Sequence, residues 1–270
     1  MAASNLALRV LTAVVALPLV GALIMWREQP LGFGLLVVVV AALALTEYVN
    51  MTLASASRRL RLEVIAVGVA LAVGLYLRPE LTLVWLLGAL ILASAAVLLE
   101  PGEIPSAGAR LGLAGFGVVY LGAMPASLAI LHRDAVNGAV WVCAAIAVTF
   151  ANDTGAYFAG RTLGRHKLYP VISPGKTVEG AVGGLIAGVG ILLAGHATLT
   201  PAITLADCVL IGGPAAVLGP IGDLVESMIK RSVGAKDSGR LLPGHGGMLD
   251  RIDALLFVSA WTYVYVLHLR

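Results

Sequence analysis

The chain has 270 residues, of which 59% are apolar and 12% are charged, and its mean hydropathy is +0.95. A soluble domain has about 45–50% apolar and about 25% charged residues, so this composition excludes an ordinary soluble protein and indicates a membrane protein. The formal net charge of +3 is small, and two cysteines in unrelated apolar runs suggest neither a disulfide scaffold nor a cysteine-based zinc site.

Nine apolar segments have the length of a transmembrane helix. A bilayer core of about 30 Å is crossed by about 20 helical residues, and segments of this length lie at residues 6–26, 31–49, 62–78, 81–99, 111–132, 138–160, 178–197, 203–226 and 251–269. We interpret the first as a retained anchor, because further spans follow at once and no convincing signal-peptidase site precedes Glu28. The predicted fold class is all-α: a polytopic integral membrane protein with about nine transmembrane helices and no soluble domain between them.

Basic residues are distributed unequally between the two faces that nine spans create. One face receives Arg9, Arg58, Arg59, Arg61, Arg110, Arg161, Arg165, Lys167, Lys176, Lys230, Arg231, Lys236, Arg240 and Arg251. The other receives Arg27, Arg78, Arg133 and Arg270. The positive-inside rule places the first set in the cytoplasm, with the N-terminus inside and the C-terminus outside a multi-pass protein of the cell membrane.

The two halves of the chain differ in their polar content. Residues 1–135 have few polar groups within spans, Glu47 being the main exception, and are predicted to be scaffold helices. Residues 136–270 are predicted to be the catalytic helices and loops, because acids enter or adjoin their spans: Asp153, Glu179, Asp223, Glu226, Asp250 and Asp253. One acid at bilayer depth costs about 2.5–3.5 kcal/mol, which packing alone does not explain. For Glu179 and Glu226, a position at the membrane interface is the alternative.

Helical spacing groups several of these acids. Asp223, Glu226, Ser227 and Lys230 share one face of a helix, and Asp250 and Asp253 align at i, i+3 on another. Two helices that present carboxylates to one pocket provide the oxygen ligands that Mg²⁺ prefers. The intervening segment GRLLPGHGGM, residues 239–248, is predicted to be a loop whose glycines let backbone amides approach a phosphate. A basic cytoplasmic loop without a ligand is the alternative.

Three shorter patterns resemble known motifs, but their context does not support the corresponding sites. PGKT at residues 174–177 lacks the first glycine of a P-loop, because Pro170 occupies that position, and we expect no strand before it. Gly-His-Gly-Gly resembles the oxyanion loop of an esterase, but the sequence contains no Gly-x-Ser-x-Gly nucleophile elbow. It also contains no His-Glu-x-x-His zinc motif. Gly180, Gly184 and Gly188 are spaced for close helix packing.

The charged stretch resembles a known signature. Its elements are Ser227-Met-Ile-Lys230-Arg231, Lys236-Asp237, Pro243-Gly-His245-Gly-Gly247 and Asp250-Arg251-Ile-Asp253. Upstream, similar elements are Asn152-Asp153-Thr154, Ala156-Tyr157, Gly160-Arg161, Gly164-Arg165, Ser173-Pro174, Lys176-Thr177 and Glu179-Gly180. From about Phe150 to the end, the sequence is similar to the phosphatidate cytidylyltransferases, also called CDP-diacylglycerol synthases. One departure is Gly175, where the family commonly has a second lysine.

The resemblance implies a reaction and its partners. Phosphatidate and CTP would give CDP-diacylglycerol and pyrophosphate in phospholipid biosynthesis, with Mg²⁺ required and, for some members, a monovalent cation such as K⁺ beside it. The expected partners are CTP, phosphatidate and the lipid bilayer, with no nucleic acid, and a homodimer is left open. The residues support the reaction independently, since bringing two anions together and releasing pyrophosphate requires positioning and charge neutralisation.

The resemblance also implies roles for individual residues. Asp223 and Asp250 are the expected metal ligands, and Asp153 either completes the metal site or pairs with a basic residue. Contacts to the triphosphate and the lipid phosphate are expected from Lys176, Lys230, Arg231, Lys236 and Arg251. The expected substrate-binding residues further include Ser227, Gly246 and Gly247. His245 either holds a phosphate or orders its loop, and Asp237 and Asp253 orient lysines and arginines.

Two rival functions are compatible with parts of the pattern. Intramembrane acids and glycine-interrupted helices also occur in secondary transporters, although the acids here lie in one half and no inverted repeat is detectable. The second rival is a related enzyme, either a lipid kinase or a CTP transferase that acts on another isoprenoid or lipid phosphate.

Overall fold

The chain is almost entirely helical. The computed structural model describes residues 14, 16–26, 28–198, 202–239, 241 and 246–270. The α-helices in these ranges are α1 (Ala16–Met25), α2 (Pro30–Thr52), α3 (Arg58–Leu77), α4 (Thr82–Leu99), α5 (Ile104–Val118), α6 (Met124–Asp134), α7 (Gly138–Leu163), α8 (Val178–Thr198), α9 (Leu205–Ser232) and α10 (Leu249–Val264). A 3₁₀ turn, Pro79–Leu81, precedes α4, and π-helical turns at Val119–Ala123 and Tyr265–Leu269 lengthen α5 and α10.

Eight helical segments among the described residues are long and apolar enough to cross a membrane. They are Pro30–Thr52, Arg58–Leu77, Pro79–Leu99, Ile104–Asp134, Gly138–Leu163, Val178–Thr198, Leu205–Ser232 and Leu249–Leu269. These correspond to the second to ninth predicted spans, so the all-α polytopic fold class is confirmed. The predicted first span, residues 6–26, lies partly outside the described residues, and its described part contains the short helix α1.

A small β-hairpin was not predicted. Strands β1 (Lys167–Tyr169) and β2 (Ser173–Thr177) pair antiparallel between α7 and α8. The expectation that no strand precedes the PGKT segment is therefore wrong. The exclusion of a P-loop is unaffected, because residues 174–177 themselves form β2, whereas a P-loop wraps a phosphate between a strand and a helix.

The chain divides into two compact units. The first comprises the chain up to Ile130 together with Val233–Arg251, and the second comprises Leu131–Ser232 with Ile252–Arg270. The division near residue 130 lies close to the predicted boundary at 135. Segment Val233–Arg251, which belongs to the predicted catalytic half, instead groups with the N-terminal helices.

The core of the first unit is built by α2 to α5 and the π turn that follows α5. Tyr48 is fully buried, and its hydroxyl donates to the Leu113 carbonyl at 2.9 Å. At the start of α3, the Ser57 side chain accepts from the Leu60 amide as an N-cap, while the Ser57 amide donates to the Glu100 carboxylate at 2.7 Å. The Ser57 hydroxyl also donates to Glu100, and both hydrogen bonds lower the pKa of this exposed carboxyl below its ordinary value.

The second unit is organised around the packing of α7 on α8. Gly180, Gly184 and Gly188 form a buried stripe on α8. A Cβ at Gly180 would lie 2.9 Å from the Ala156 carbonyl oxygen, and one at Gly188 would lie 3.2 Å from Val148. The predicted close helix packing at these glycines is confirmed, and it fixes the face of α7 that carries Asn152.

At the start of α9, Asp207 forms a buried polar cluster. Its carboxylate accepts from the Thr204 amide at 2.7 Å, the Tyr265 hydroxyl at 2.7 Å and Arg270 Nε at 3.0 Å. Thr204 Oγ1 in turn accepts from the Asp207 amide at 3.2 Å, which completes a capping box. The Arg270 guanidinium also lies over the Trp141 ring, 4.8 Å from its centroid. This cluster joins the start of α9 to the residues that follow α10 and, through Arg270, to α7.

Candidate active site

A cavity of about 710 Å³ opens in the second unit. It is lined by α7, the β-hairpin, α8 and α9, and its polar lining comes from Asn152, Asp153, Tyr157, Arg161, Ser173, Lys176, Thr177 and Asp223. Three of the predicted site residues, Asp153, Lys176 and Asp223, thus share one cavity. Gly175 also lines it, and a Cβ there would meet nothing within 4 Å, so the space that a lysine would use is open.

Three carboxylates in the second unit form a group that could hold a metal ion. One oxygen each from Asp223, Glu226 and Asp253 lie within 4.8 Å of one another. Asp223 and Glu226 are three residues apart on α9, so they share one face of the helix as predicted. Hard cations such as Mg²⁺ bind carboxylate oxygens, and clustered acids in an apolar surrounding are costly unless neutralised. The cluster therefore fits a divalent cation.

Two lysines pair with Asp223 and Glu226 of α9. Lys176 Nζ lies 2.7 Å from Asp223 Oδ2 and donates to the Pro220 carbonyl at 3.2 Å. Lys230 Nζ lies 2.5 Å from Glu226 Oε2, one turn along α9, and these two side chains are 11% and 2% exposed. Ser227 Oγ donates to the other Asp223 oxygen at 3.2 Å. Cations and acids thus alternate along one surface.

The approach of α10 to α9 depends on Gly222. A Cβ at this position would lie 2.5 Å from the Asp253 carbonyl oxygen and 3.2 Å from Ala254 Cα. Because both are backbone atoms, a side chain could fit only if the helices moved apart. The absence of a side chain at Gly222 is what brings Asp253 to Asp223 and Glu226.

The hairpin that carries Lys176 is fixed at both ends. Glu179, in the first turn of α8, accepts from the backbone amides of Arg165 at 3.0 Å and His166 at 3.2 Å, and bonds His166 Nδ1 at 2.6 Å. Thr177 Oγ1 accepts from the Gly180 amide at 3.0 Å and caps α8. These contacts hold β2 where Lys176 reaches Asp223.

Asp250 belongs to the first unit, where backbone amides hold its carboxylate. The Ser238 amide donates to Asp250 Oδ2 at 3.1 Å, and the Gly247 amide donates to the same oxygen at 2.9 Å. The contact to Gly247 reaches back three residues, as the acid of a capping box does at a helix N-terminus. Asp250 and Asp253 lie three residues apart on one helix as predicted, since both are in the first two turns of α10.

The remaining predicted residues occupy several settings. Arg231, Lys236, Asp237 and Arg251 are exposed, Gly246 is partly exposed, and Gly247, Ser227 and Lys230 are buried. Gly246 has φ +83°, a left-handed conformation that favours glycine. Gly247 lies so close to Ser238 and Glu47 that a side chain would not fit there. His245 lies outside the described residues.

Two acids of the carboxylate cluster, Glu226 and Asp253, are not predicted to be metal ligands from the sequence. The sequence places Glu226 on the same helix face as Asp223 without assigning it to the metal, and it assigns Asp253 only an orienting role. Their joint contribution to the carboxylate cluster depends on the contact of α9 with α10 at Gly222, which has no signal in sequence spacing. For Glu226, the shared face with Asp223 was the available signal.

Comparison with known proteins identifies the family. The sequence profile described as "Cytidylyltransferase family" matches residues 7–269. The phosphatidate cytidylyltransferase of Staphylococcus saprophyticus is 48% identical over 128 residues, covering 47% of this chain and 49% of that protein. That of Brucella suis is 42% identical over 151 residues, covering 55% of each chain. The chain spans about half the length of the curated relatives it matches. Because the profile extends over nearly its whole length, this chain belongs to the cytidylyltransferase family.

Proposed function

We propose that this protein is a phosphatidate cytidylyltransferase, which transfers the cytidylyl group of CTP to phosphatidate and releases pyrophosphate. The observation that carries the proposal is Asp223, which lines the cavity of the second unit together with Lys176 and also belongs to the cluster with Glu226 and Asp253. Lys176 pairs with Asp223, and Lys230 pairs with Glu226. Alternating acids and cations suit a substrate whose charge is a metal-bound polyphosphate. The substrates themselves are suggested by the names of the relatives.

The chemistry of the cluster supports a divalent cation. Asp223, Glu226 and Asp253 would hold Mg²⁺, with Asp153 on the wall of the same cavity as a further oxygen donor. When bound, Mg²⁺ supplies positive charge for the phosphate oxygens as negative charge redistributes in the reaction. Asp250 stays a predicted ligand, and a second, monovalent cation such as K⁺ stays a prediction from the resemblance.

The protein's own residues would orient and neutralise the two anions. An oxygen of the phosphatidate phosphate forms a bond to the α-phosphorus of CTP, and the bond from that phosphorus to the bridging oxygen of the β-phosphate breaks. Pyrophosphate leaves with the electron pair. Lys176 and Lys230 would exchange an acidic partner for phosphate oxygens, because a cation at the carboxylates replaces the charge that each lysine supplies. The exposed Arg231, Lys236 and Arg251 would contribute further phosphate contacts.

The cavity walls suit a lipid substrate. α7, α8 and α9 are all candidate membrane spans, and apolar residues such as Ala156 and Ala181 line the cavity beside its charges. Arg161 donates to the Tyr157 hydroxyl at 2.7 Å on the same wall. A lipid phosphate could thus be bound by cations while its acyl chains stay in the bilayer.

The protein spans a membrane several times, and we propose that its active-site loops face the cytoplasm. The bias of Lys and Arg described above supports this orientation in the cell membrane, with the N-terminus inside and the C-terminus outside. An impermeant thiol reagent should then fail to label a cysteine introduced at Ser57 in intact cells and should label one added after Arg270. Labelling of both, or of neither, would contradict the orientation.

The reaction can be tested with purified protein in detergent, where no ion gradient exists. We expect pyrophosphate release from CTP only when phosphatidate and Mg²⁺ are both present, with one CDP-lipid formed per pyrophosphate. Replacing phosphatidate by another lipid phosphate distinguishes this enzyme from a CTP transferase that acts on a different lipid. Replacing CTP by ATP distinguishes it from a lipid kinase. Folded protein that releases no pyrophosphate under these conditions would refute the proposal.

A further inference from the structure

Glu47 is a half-buried acid in the N-terminal half of the chain that the proposed chemistry does not use. It lies near the end of α2, within a candidate membrane span. Its Oε2 accepts hydrogen bonds from the Leu249 amide at 3.0 Å and from the Ser238 hydroxyl at 3.2 Å. Its Oε1 is buried and has no hydrogen-bond partner among the residues that the structure describes. Such an arrangement costs free energy, so packing does not explain the acid.

The two donors to Glu47 are directly connected to Asp250. Leu249 is the first residue of α10, and its amide is one of those that a helix leaves without a partner in the first turn. Ser238 donates its own amide to both Asp250 oxygens, at 3.2 and 3.1 Å, and its hydroxyl oxygen lies 3.4 Å from the Asp250 amide. One carboxylate therefore fixes both the start of α10 and the residue that orients the Asp250 carboxylate.

Gly239 and Gly247 approach the Glu47 side chain closely. A Cβ at Gly239 would meet the Glu47 carboxylate, and one at Gly247 would lie 2.5 Å from Glu47 Oε2 and 2.8 Å from the Gly239 amide. Two glycines thus allow the loop to close around the acid. This closeness puts the Gly247 amide within 2.9 Å of Asp250.

We propose that Glu47 is a positioning residue for the transfer reaction, acting through Ser238 and Leu249 on Asp250. This inference rests on the proposed function and on the predicted role of Asp250 as a metal ligand. An acid at the N-terminus of α10 is favoured by the helix dipole, and its hydrogen bonds hold the loop at the position where Gly247 and Ser238 orient Asp250. The N-terminal half then contributes to catalysis through one side chain in addition to its scaffold role.

The first test replaces Glu47 by methionine, which has a similar length and removes both hydrogen bonds. Because apolar residues suit a membrane span, Glu47→Met is expected to insert and to keep the melting temperature of the wild type within a few degrees. The rate at saturating substrate should fall about 10- to 100-fold, or the Mg²⁺ concentration for half-maximal rate should rise by that factor. Glu47→Gln retains one acceptor oxygen and should recover part of this loss.

The matched control is Glu63→Met. Glu63 lies in the same half of the chain and pairs with Arg59 at 2.7 Å on a surface where its side chain is 35% exposed. We expect this variant to keep the wild-type rate and Mg²⁺ dependence. Glu47→Met with kinetics like those of Glu63→Met would overturn the proposal. So would a loss of activity that only follows a loss of folded protein and that glutamine does not recover.

A second measurement does not depend on activity. Backbone hydrogen exchange in a peptide spanning residues 246–253 should be faster in Glu47→Met than in the wild type, and Ser238→Ala should have the same effect. If both residues act through one contact, the double variant should be little worse than either single variant. Unchanged exchange would overturn the inference even if the transfer reaction is absent, whereas an inactive wild type alone would count only against the proposed function.

Discussion

Two pairs of acids, one in each compact unit, are stabilised in different ways. In the first unit, Glu47 and Asp250 accept hydrogen bonds from the backbone amides of Leu249, Ser238 and Gly247. In the second unit, Asp223 and Glu226 are paired with the lysine ammonium groups of Lys176 and Lys230. Backbone donors fix a carboxylate in position, while a lysine on a flexible stem can exchange its partner. Under the proposed function, Glu47 and Asp250 would orient the site, and Asp223 and Glu226 would bind the ligand.

This difference explains why charge is tolerated inside an apolar chain. A carboxylate in an apolar surrounding needs hydrogen bonds or an opposite charge, and each of these two pairs of acids receives one of them. Under the proposed function, the lysine-paired cluster would accept a divalent cation and release basic groups toward an anion. The following predictions test this division, beginning with the largest expected effect.

Removing a charge from the lysine-paired cluster should have the largest effect. Asp223→Asn keeps the size of the side chain but weakens the contact to Lys176 and removes one carboxylate from the cluster. We expect the rate of pyrophosphate release to fall at least about 100-fold, or about 2.7 kcal/mol in barrier. Asp134→Asn, at an acid that pairs with Arg133 outside the cavity, is the control and should leave the rate unchanged. Asp223→Asn activity above a tenth of wild type would remove Asp223 from the proposed metal site.

Separating α9 from α10 should be nearly as harmful without removing any charge. Gly222→Ala places a methyl group 2.5 Å from the Asp253 carbonyl oxygen, so the helices must shift and the three carboxylates must separate. We expect a rate loss of about 10- to 100-fold, because displacement by about 1 Å has effects of this size. Gly213→Ala is the matched control on the same helix, since a Cβ there meets nothing within 4 Å. Equal rates for the two variants would show that the α9–α10 contact does not organise the site.

Removing the charge of Asp207, a buried acid at the start of α9, should reduce the stability of the fold and leave the reaction rate unchanged. In Asp207→Asn, one oxygen that accepts from Thr204, Tyr265 or Arg270 becomes an amide donor, so hydrogen bonds to a charged group are lost. A loss of about 2 kcal/mol in stability is expected. Thermal unfolding in detergent would measure it, and pyrophosphate release at a temperature below the transition should stay within about twofold of wild type. A large loss of rate in folded protein would contradict the separation of structural from catalytic acids.

The smallest effect is expected at an exposed acid of the first unit. Hydrogen bonds from Ser57 lower the pKa of Glu100 below its ordinary value. The ionised carboxylate therefore stabilises the fold at pH values above the ordinary pKa of a glutamate. That contribution is lost as the pH falls through the lowered pKa. Glu100→Gln should therefore slightly reduce the melting temperature at neutral pH and should make no difference at a pH well below the pKa of Glu100. An equal effect of the substitution at both pH values would show that the charge contributes nothing.

Much of the fold was predictable because the bilayer imposes it. The length and apolarity of the eight described spans follow from the need to cross a hydrocarbon core with all backbone groups bonded within the helix. The helical spacing of Asp223, Glu226, Ser227 and Lys230 also predicted their common face, and small residues at Gly180, Gly184 and Gly188 predicted a helix contact. The hairpin at residues 167–177 escaped prediction because its strands are short and its turn residues read equally well as a loop.

Sequence by itself determined the membrane class, the helices, the family signature and the presence of Asp223 and Lys176 in a polar region, since all of these depend on composition or local spacing. Tertiary structure alone decided the rest. Which acids cluster depends on the approach of α9 and α10 at Gly222, and the partners of Glu47 are 191 and 202 residues away along the chain. Contacts between distant segments depend on how helices pack, and no local pattern encodes which faces will meet.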